Sequence, residues 1–540
     1  MRTVAIFISL LILTSTTVSA APPKAEWLHP AGVGQGVVTT IELSDAGVWP
    51  VKVWIDQPQG VAIEAHKDKN KLTVTTTADA LPGVRWLRLF NDDGASSLRP
   101  LLVGTLLEVQ EKEPNNTVKQ AQLVAENVTL NGRLEKSGDV DVYRVPLRRG
   151  QTLIASMLAN RVLSSPMDGV LQVCRADGSV LTQNDDALAL DPQIVFEVPS
   201  DGDYLIRAFA FPATPDSSIQ FAGKIDFIYR LTLTTSAYID HTTPLAATQG
   251  EATDLALHGW NIPTEISKLA LTPQADRDVA ILFHPKLANT IDLPVTTFPL
   301  IVASPGSSAA KPQQASVPCV ITGQIEKEGA SHVFGFAAKK GENLRLRIES
   351  QTLGFPLDPV LRIMEADGKL ISETDDTAKE RDPTILFKPT ADGDYRVSVR
   401  DLHGRGGERF VYRMTIEAVV ADYALTLATD VFTWTPGKPL EIPVTIDRRD
   451  GLTGEIAVSV EGLPEGAKAT PVVSKMKDAS EKTVKVVIDG GGEAWSGPVK
   501  IIGKSGEKQR VATFATVGEA RHQSAWMTVV KQTEKTKKGK

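Results

Sequence analysis

The chain has 540 residues, a formal net charge of -7 and 2 cysteines. Its length exceeds what one core can fill and implies about three to five compact units, and its acidic balance supplies no basic face able to neutralise phosphates, which excludes a nucleic-acid partner. Cys174 and Cys319 fall in different expected units, which excludes a disulfide framework and leaves stability to packed apolar cores.

Residues 1–20 begin with Arg2, continue through the apolar run Val4 to Leu13 and end Val18-Ser19-Ala20 before Ala21. This is the form of a secretory signal peptide with a small-residue cleavage site. The run is far shorter than the roughly 20 apolar residues a membrane span needs, and no later segment supplies one. The expectation is an exported chain with no transmembrane span, placed in the extracellular space, at the cell surface or in the periplasm.

Residues 23–107 alternate β-rich pieces (VVTTIEL, VWPVKVWI, LTVTTT, VRWLRLF) with breaks rich in Gly, Pro and Asp, the pattern of an antiparallel sandwich. Trp49, Trp54 and Trp86 sit among alternating apolar residues and are expected to fill its core, a sugar-binding aromatic platform being the alternative. In residues 108–235, strands such as VYRVPL, QTLIASML, GVLQVCR and YLIRAFAF are separated by the turns Arg149-Gly150, Asp177-Gly178 and Asp201-Gly202. Cys174, inside one of these strands, reads as a buried apolar thiol. Residues 236–306 form a shorter relative of the first unit: PAGVGQG at Pro30 is echoed by PLAATQG at Pro244, and PLLVG at Pro100 by PLIVA at Pro299.

Ser304 to Ser316, SPGSSAAKPQQAS, reads as a flexible linker. A further sandwich follows in residues 307–419, and another in 420–519, with VFTW, LEIPVTIDR, GEIAVSV, TVKVVI and PVKIIG as strands. Residues 520–540, ending in KQTEKTKKGK, read as a basic disordered tail.

Two of these units are copies. LNGRLEK at Leu130 recurs as ITGQIEK at Ile321, 191 residues on. Within a residue, the same offset carries Gly150 to Gly341, Asp185-Asp186 to Asp375-Asp376, Phe196 to Phe387 and the DGDY at Asp201 to the DGDY at Asp392.

The order EPNN, GDVDVY, Asp168 after a Ser165-Pro166-Met167 turn, ADG, NDD, DGDY and YRLTL resembles the bacterial pre-peptidase C-terminal (PPC) domain, over about residues 111 to 234 and more weakly over 318 to 417. The resemblance implies a jelly-roll-like β-sandwich appended to secreted bacterial proteins, many of them peptidases, and related to the collagen-binding domains of bacterial collagenases. GLTGEIAVSVEGLPEGAKA in the last sandwich resembles the Ig-like repeats of exported bacterial proteins. The expected fold is therefore all-β, a duplicated Ig-like and PPC-like pair followed by a C-terminal Ig-like domain.

A hard cation such as calcium takes six to eight oxygen ligands from carboxylates, amides and backbone carbonyls. Glu111, Glu113, Asn115 and Asn116 crowd such groups into six residues, and Asp139 and Asp141 add two carboxylates at a strand entrance. The related collagen-binding domains build a calcium site from a segment of this kind, which implies Glu111, Glu113, Asn115, Asn116, Asp139 and Asp141 as ligands here. Asp139 matches that pattern least well. The alternative is a capped turn in which these side chains bond local backbone amides. The second copy has Ala330 and His332 where the aspartates stood, and is expected to bind no cation.

Asp185-Asp186 and Asp375-Asp376 read as hydrogen-bonded loops, with a second cation site as the alternative, and DGDY reads as a hairpin turn feeding a tyrosine into the sheet. For catalysis no G-x-S-x-G, H-E-x-x-H or C-x-x-C motif occurs, and the 8 histidines are scattered among the units. The expectation is a non-catalytic accessory protein that binds an extracellular polysaccharide, a protein polymer or an exported enzyme. An exported hydrolase and a purely structural spacer are the rival readings.

Overall fold

The structure, a computed structural model, describes residues 21–214, 220–274, 277–376, 380–516 and 521–530. The expected signal peptide, residues 1–20, and Lys531–Lys540 lie outside the described residues. The chain is a tandem series of β-sandwiches. Alternation explains why: in strand Leu440–Arg449, Ile442, Val444 and Ile446 are buried while Glu441, Thr445 and Asp447 face water, so one side of the sheet turns inward.

The duplication is visible strand by strand. In the first copy a five-stranded sheet runs in the order 107–110, 128–133, 228–234, 152–158, 193–197, and packs on a second sheet ordered 122–123, 141–147, 202–212, 167–175, 180–184. The second copy repeats both orders with 300–302, 319–324, 411–418, 344–349, 384–387 and with 313–314, 331–338, 393–401, 359–365, 370–374. Each copy also grips the sandwich before it in the same way. The side chain at one aligned position accepts a backbone N–H from the preceding unit, Asn131 from Gly32 at 3.0 Å and Thr322 from Leu245 at 2.9 Å. Beside it stands an arginine paired within its own copy, with glutamates on different strands: Arg230 with Glu108 of 107–110 and Arg413 with Glu349 of 344–349.

Four expectations are corrected. Trp54 and Trp86 do not fill the first sandwich's core; they belong to the cluster of the last sandwich, Trp54 lying 5.7 Å from Trp526 and Trp86 4.4 Å from His522 between ring centroids. Alternation identifies a buried face but not which unit covers it. Trp49 does pack on its own core. Ser304–Ser316 is not a free linker: Gln313–Gln314 pairs in parallel with Phe334 and Gly335, Ser307 is buried, and Leu300–Val302, read as part of the preceding unit, pairs with Val320 to Thr322 of the second copy. Residues 525–529, read as part of a disordered tail, are a fully buried strand, Ala525–Val529, between 431–434 and 495–505. DGDY is no hairpin either. The strands it joins, 193–197 and 202–212, lie in different sheets, and the Tyr204 hydroxyl donates back to the carbonyl of Ser200 at 2.8 Å, as Tyr395 does to Ala391.

The first and last sandwiches clasp each other. Arg88, with no exposed side-chain surface, places its guanidinium 2.6 Å from Asp430, and Phe90 packs 4.9 Å from Trp526. Asp430→Ala strands a buried cation and is expected to cost about 3–5 kcal/mol in urea unfolding, while Arg88→Met, which leaves a better-solvated carboxylate behind, costs less.

Burial and neighbouring arginines hold two histidines neutral, His29 down from 6.5 to about 3 beside Arg133 and His522 down to about 4 beside Arg88. A base depressed in the folded state stabilises it fully above its unfolded pKa and loses that contribution as pH falls. Melting temperature should therefore drop between about pH 6.5 and pH 4, and His522→Phe should shrink the drop.

Candidate metal centre

The segment carrying Glu111 to Asn116 runs onto the outer face of the sheet that contains Asp141–Leu147. Further on, Val118 and Ala121 cover an apolar patch of Val140, Val142, Cys174, Leu205 and Phe209. Backbone bonds fix the entry: Glu111 N–H donates to Asn131 O at 3.1 Å, and Val142 N–H donates to Asn115 O at 3.1 Å. This brings the segment against the loop that precedes strand Asp141–Leu147.

Glu113, Asp139 and Asp141 each offer a carboxylate oxygen there, all within 4.8 Å of one another, with Asp139 and Asp141 buried and Glu113 exposed. Asp139, the weakest match to the family pattern, is central. Its Oδ2 accepts the N–H of Glu135 at 2.7 Å and its Oδ1 accepts the Asn116 amide at 2.6 Å. Asn116 thus turns its nitrogen to the cluster, as a partner of Asp139. Glu113 accepts the N–H of Asn115 at 3.0 Å with one oxygen, leaving the other available. Glu111 accepts the N–H of Arg133 at 2.8 Å and stands beside Asp141.

Two groups are buried without partners. Asn115 is fully buried, and neither its amide oxygen nor its nitrogen has a hydrogen bond; Asp141, also fully buried, has one oxygen unpaired. Orphaned buried polar atoms are costly and rare, and a cation is the partner that carboxylate and amide oxygens together fit. The electrostatics agree. Burial and the adjacent carboxylates push Glu111 and Asp141 well above the carboxylate range, and burial raises Glu113 as well. The cluster as it stands favours added positive charge.

Sequence reasoning missed the floor of the site. Tyr229, fully buried, donates its hydroxyl to Asp141, and its oxygen lies 2.6 Å from the hydroxyl of Tyr143. Gly132 leaves room for it, since a Cβ there would collide with the Tyr229 ring, and Gly323 makes the same room for Tyr412 in the second copy. That glycine and tyrosine recur across the duplication, a signal already present in the sequence.

The second copy holds the same pocket without the acids. Ala303 takes the place of Glu111, donating its N–H to Thr322 O at 2.8 Å as Glu111 does to Asn131 O. His332 is buried where Asp141 stood, with Nδ1 2.9 Å from the Tyr412 hydroxyl and Nε2 3.3 Å from Glu326. An imidazole and a carboxylate fill the space with protein groups alone.

The exposed Asp185 and Asp186 are not drawn into the cluster; their loop is held by Asn184, whose side-chain oxygen accepts the N–H groups of Ala187 and Gln193. The repeated aspartates that matter structurally are Asp191 and Asp382. Asp191 accepts the N–H groups of Ala159, Asn160 and Arg161 at 2.7 to 3.2 Å, and Asp382 those of Ser350, Gln351 and Thr352 at 2.9 to 3.0 Å.

No family model matches the chain. It is 30% identical over 139 residues to a probable subtilase-type serine protease of Deinococcus radiodurans, a match spanning 25% of this chain and 18% of that protein. Among solved structures, the pre-peptidase C-terminal domain of a Bacillus anthracis collagenase aligns with 20% of this chain and 95% of its own, at 12% identity and a TM-score of 0.16. The insect immune protein hemolin aligns with 93% of this chain and 98% of its own, at 11% identity and a TM-score of 0.22. Likenesses at these scores carry no functional inference.

Asp191→Ala and Asp382→Ala each leave three N–H groups unpaired and are expected to cost about 2 kcal/mol or more in chemical unfolding. Asp185→Ala, on an exposed loop, should stay within about 0.5 kcal/mol of the parent.

Proposed function

We propose that the chain is an exported, non-catalytic binding or accessory protein whose first PPC-like sandwich holds a calcium ion and recognises an extracellular polysaccharide or protein polymer, or serves an exported enzyme. One observation carries this reading: the paired copies share their sheet orders and differ at the site, one keeping buried acids and an orphaned Asn115, the other closing the pocket with His332. Glu113, Asp139, Asp141 and the Asn115 oxygen would hold the ion, with Glu111 behind Asp141. When bound, the ion neutralises the buried carboxylates and pins the 111–116 segment to the strand entrance. It takes part in no reaction.

The partial match to a probable subtilase-type protease supports a place among exported proteins that work with peptidases. The clasp of Arg88 on Asp430 weighs against an extended spacer. A chain that is itself a hydrolase would label with a fluorophosphonate or a comparable active-site probe, and the present reading expects no labelling.

Calcium should raise the melting temperature of the full chain, EDTA should reverse the rise, and Asp139→Asn with Asp141→Asn should abolish it. At a concentration about 100 times the Kd the added stability is about 2.7 kcal/mol. Identical melting with calcium and with EDTA, or a rise that survives the double substitution, defeats the proposal.

A further inference from the structure

A second set of buried titratable groups lies far from the acid cluster, at the joint between the third sandwich and the second copy. Strands Tyr238–Thr243 and Thr253–Trp260 pair antiparallel, with His241 directly opposite His258. The imidazoles lie face to face, centroids 4.7 Å apart and planes 11° from parallel. His241 is buried and holds Asp240 at 2.9 Å through Nδ1, while His258 Nε2 is 3.0 Å from the Thr243 hydroxyl.

The other side of the joint belongs to the second copy. Phe355 stands edge-on to His241 at 5.5 Å, and Arg409 donates to Asp240 at 3.1 Å while its guanidinium sits 5.9 Å over the Phe355 ring. Gln324 and Glu408 line the same cleft of about 610 Å³. The charged groups facing the pair are therefore Asp240 on its own strand and Glu408 and Arg409 across the joint.

We propose that this stacked histidine pair is an acid-sensitive latch between the third sandwich and the second copy, closed while His258 is neutral and opened by its protonation. Neutral imidazoles stack as aromatic rings do. Two imidazolium rings at that spacing repel, and the carboxylate nearest to them is already shared: Asp240 bonds both His241 and Arg409. Burial opposes the charge on Asp240, but His241 and Arg409 hold its carboxyl below the ordinary range, so it stays anionic and committed to Arg409 as pH falls. Burial first, and His241 second, lower the proton affinity of His258 in the closed joint. Widening the cleft that His258 shares with Gln324, Glu408 and Arg409 opens the ring to water and brings it toward its ordinary proton affinity. Acid therefore favours the open state, and the closed state is fully stable only above the free imidazole value of about 6.5.

Hydrogen exchange read by mass spectrometry on the full chain tests the latch, comparing about pH 7.5 with pH 5 after correction for intrinsic exchange. Peptides covering 238–243 and 405–412 should lose protection in the parent, by up to about tenfold per pH unit below the free imidazole value. The same peptides should lose none in His258→Gln, and His258→Lys, charged throughout, should lack protection already at the higher pH. Unchanged protection in the parent, or an equal acid loss in parent and His258→Gln, overturns the proposal. The clasp strand Ala525–Val529 is the internal reference, because His258→Gln should leave its exchange at both pH values as in the parent.

Discussion

Like charges do not share a buried corner without something to hold them there, and the sandwich of the first copy is arranged around such a corner. Asp141 is fully buried at the start of a central strand, Asp139 is buried two residues earlier, and the segment ahead of them adds Glu111 and Glu113. Each acid is given part of what it needs: a tyrosine hydroxyl for Asp141, backbone N–H groups for Asp139, Glu111 and Glu113. Those bonds orient the oxygens but do not cancel their charge, because every donor is neutral. What they leave over is an inward-facing set of carboxyl oxygens beside the unpaired amide of Asn115.

The second copy shows the other way to satisfy the same pocket. The sheet order is unchanged, the glycine that admits the tyrosine is kept, and Tyr412 stands as Tyr229 does. With Ala303, Ala330 and His332 in place of the acids, the tyrosine hydroxyl meets a ring nitrogen and the other ring nitrogen meets Glu326. The scaffold thus does not require the acids. The acids are a difference between two copies of one scaffold, and that contrast bears on function more strongly than either site alone.

Much of this was legible in the sequence. Alternating apolar residues and turn chemistry gave the β-sandwiches, and a constant offset gave the duplication, because both are local or self-referential patterns. The acids that gather were legible too, though Asp139 was ranked last among them and lies at the centre, since its role is fixed by a backbone bond to Glu135 that no spacing rule encodes. Contacts between distant units were not legible. Trp54 and Trp86 each have a pattern that says buried, and nothing in a local window says that the cover comes from the opposite end of the chain. Ser304–Ser316 misled for a related reason: its small polar residues are those of a linker, but its hydrogen bonds are those of an edge strand.

Those distant contacts also constrain how the chain can respond to its surroundings. With the first and last sandwiches joined through Arg88, Asp430 and Trp526, the intervening units are tied at both ends. A local change at one joint then cannot simply uncoil the chain; it must be taken up by other joints or remain confined. The two joints that follow the pattern of a copy gripping its predecessor are chemically unequal. The first is reinforced by Arg133 over the Trp27 ring, a contact between a permanent cation and an aromatic face that pH does not alter. The second replaces that pair with the stacked imidazoles of His241 and His258. Duplication therefore left one pair with the acid cluster and a joint built on Arg133 and Trp27, and the other with a sealed pocket and a joint built on two stacked imidazoles.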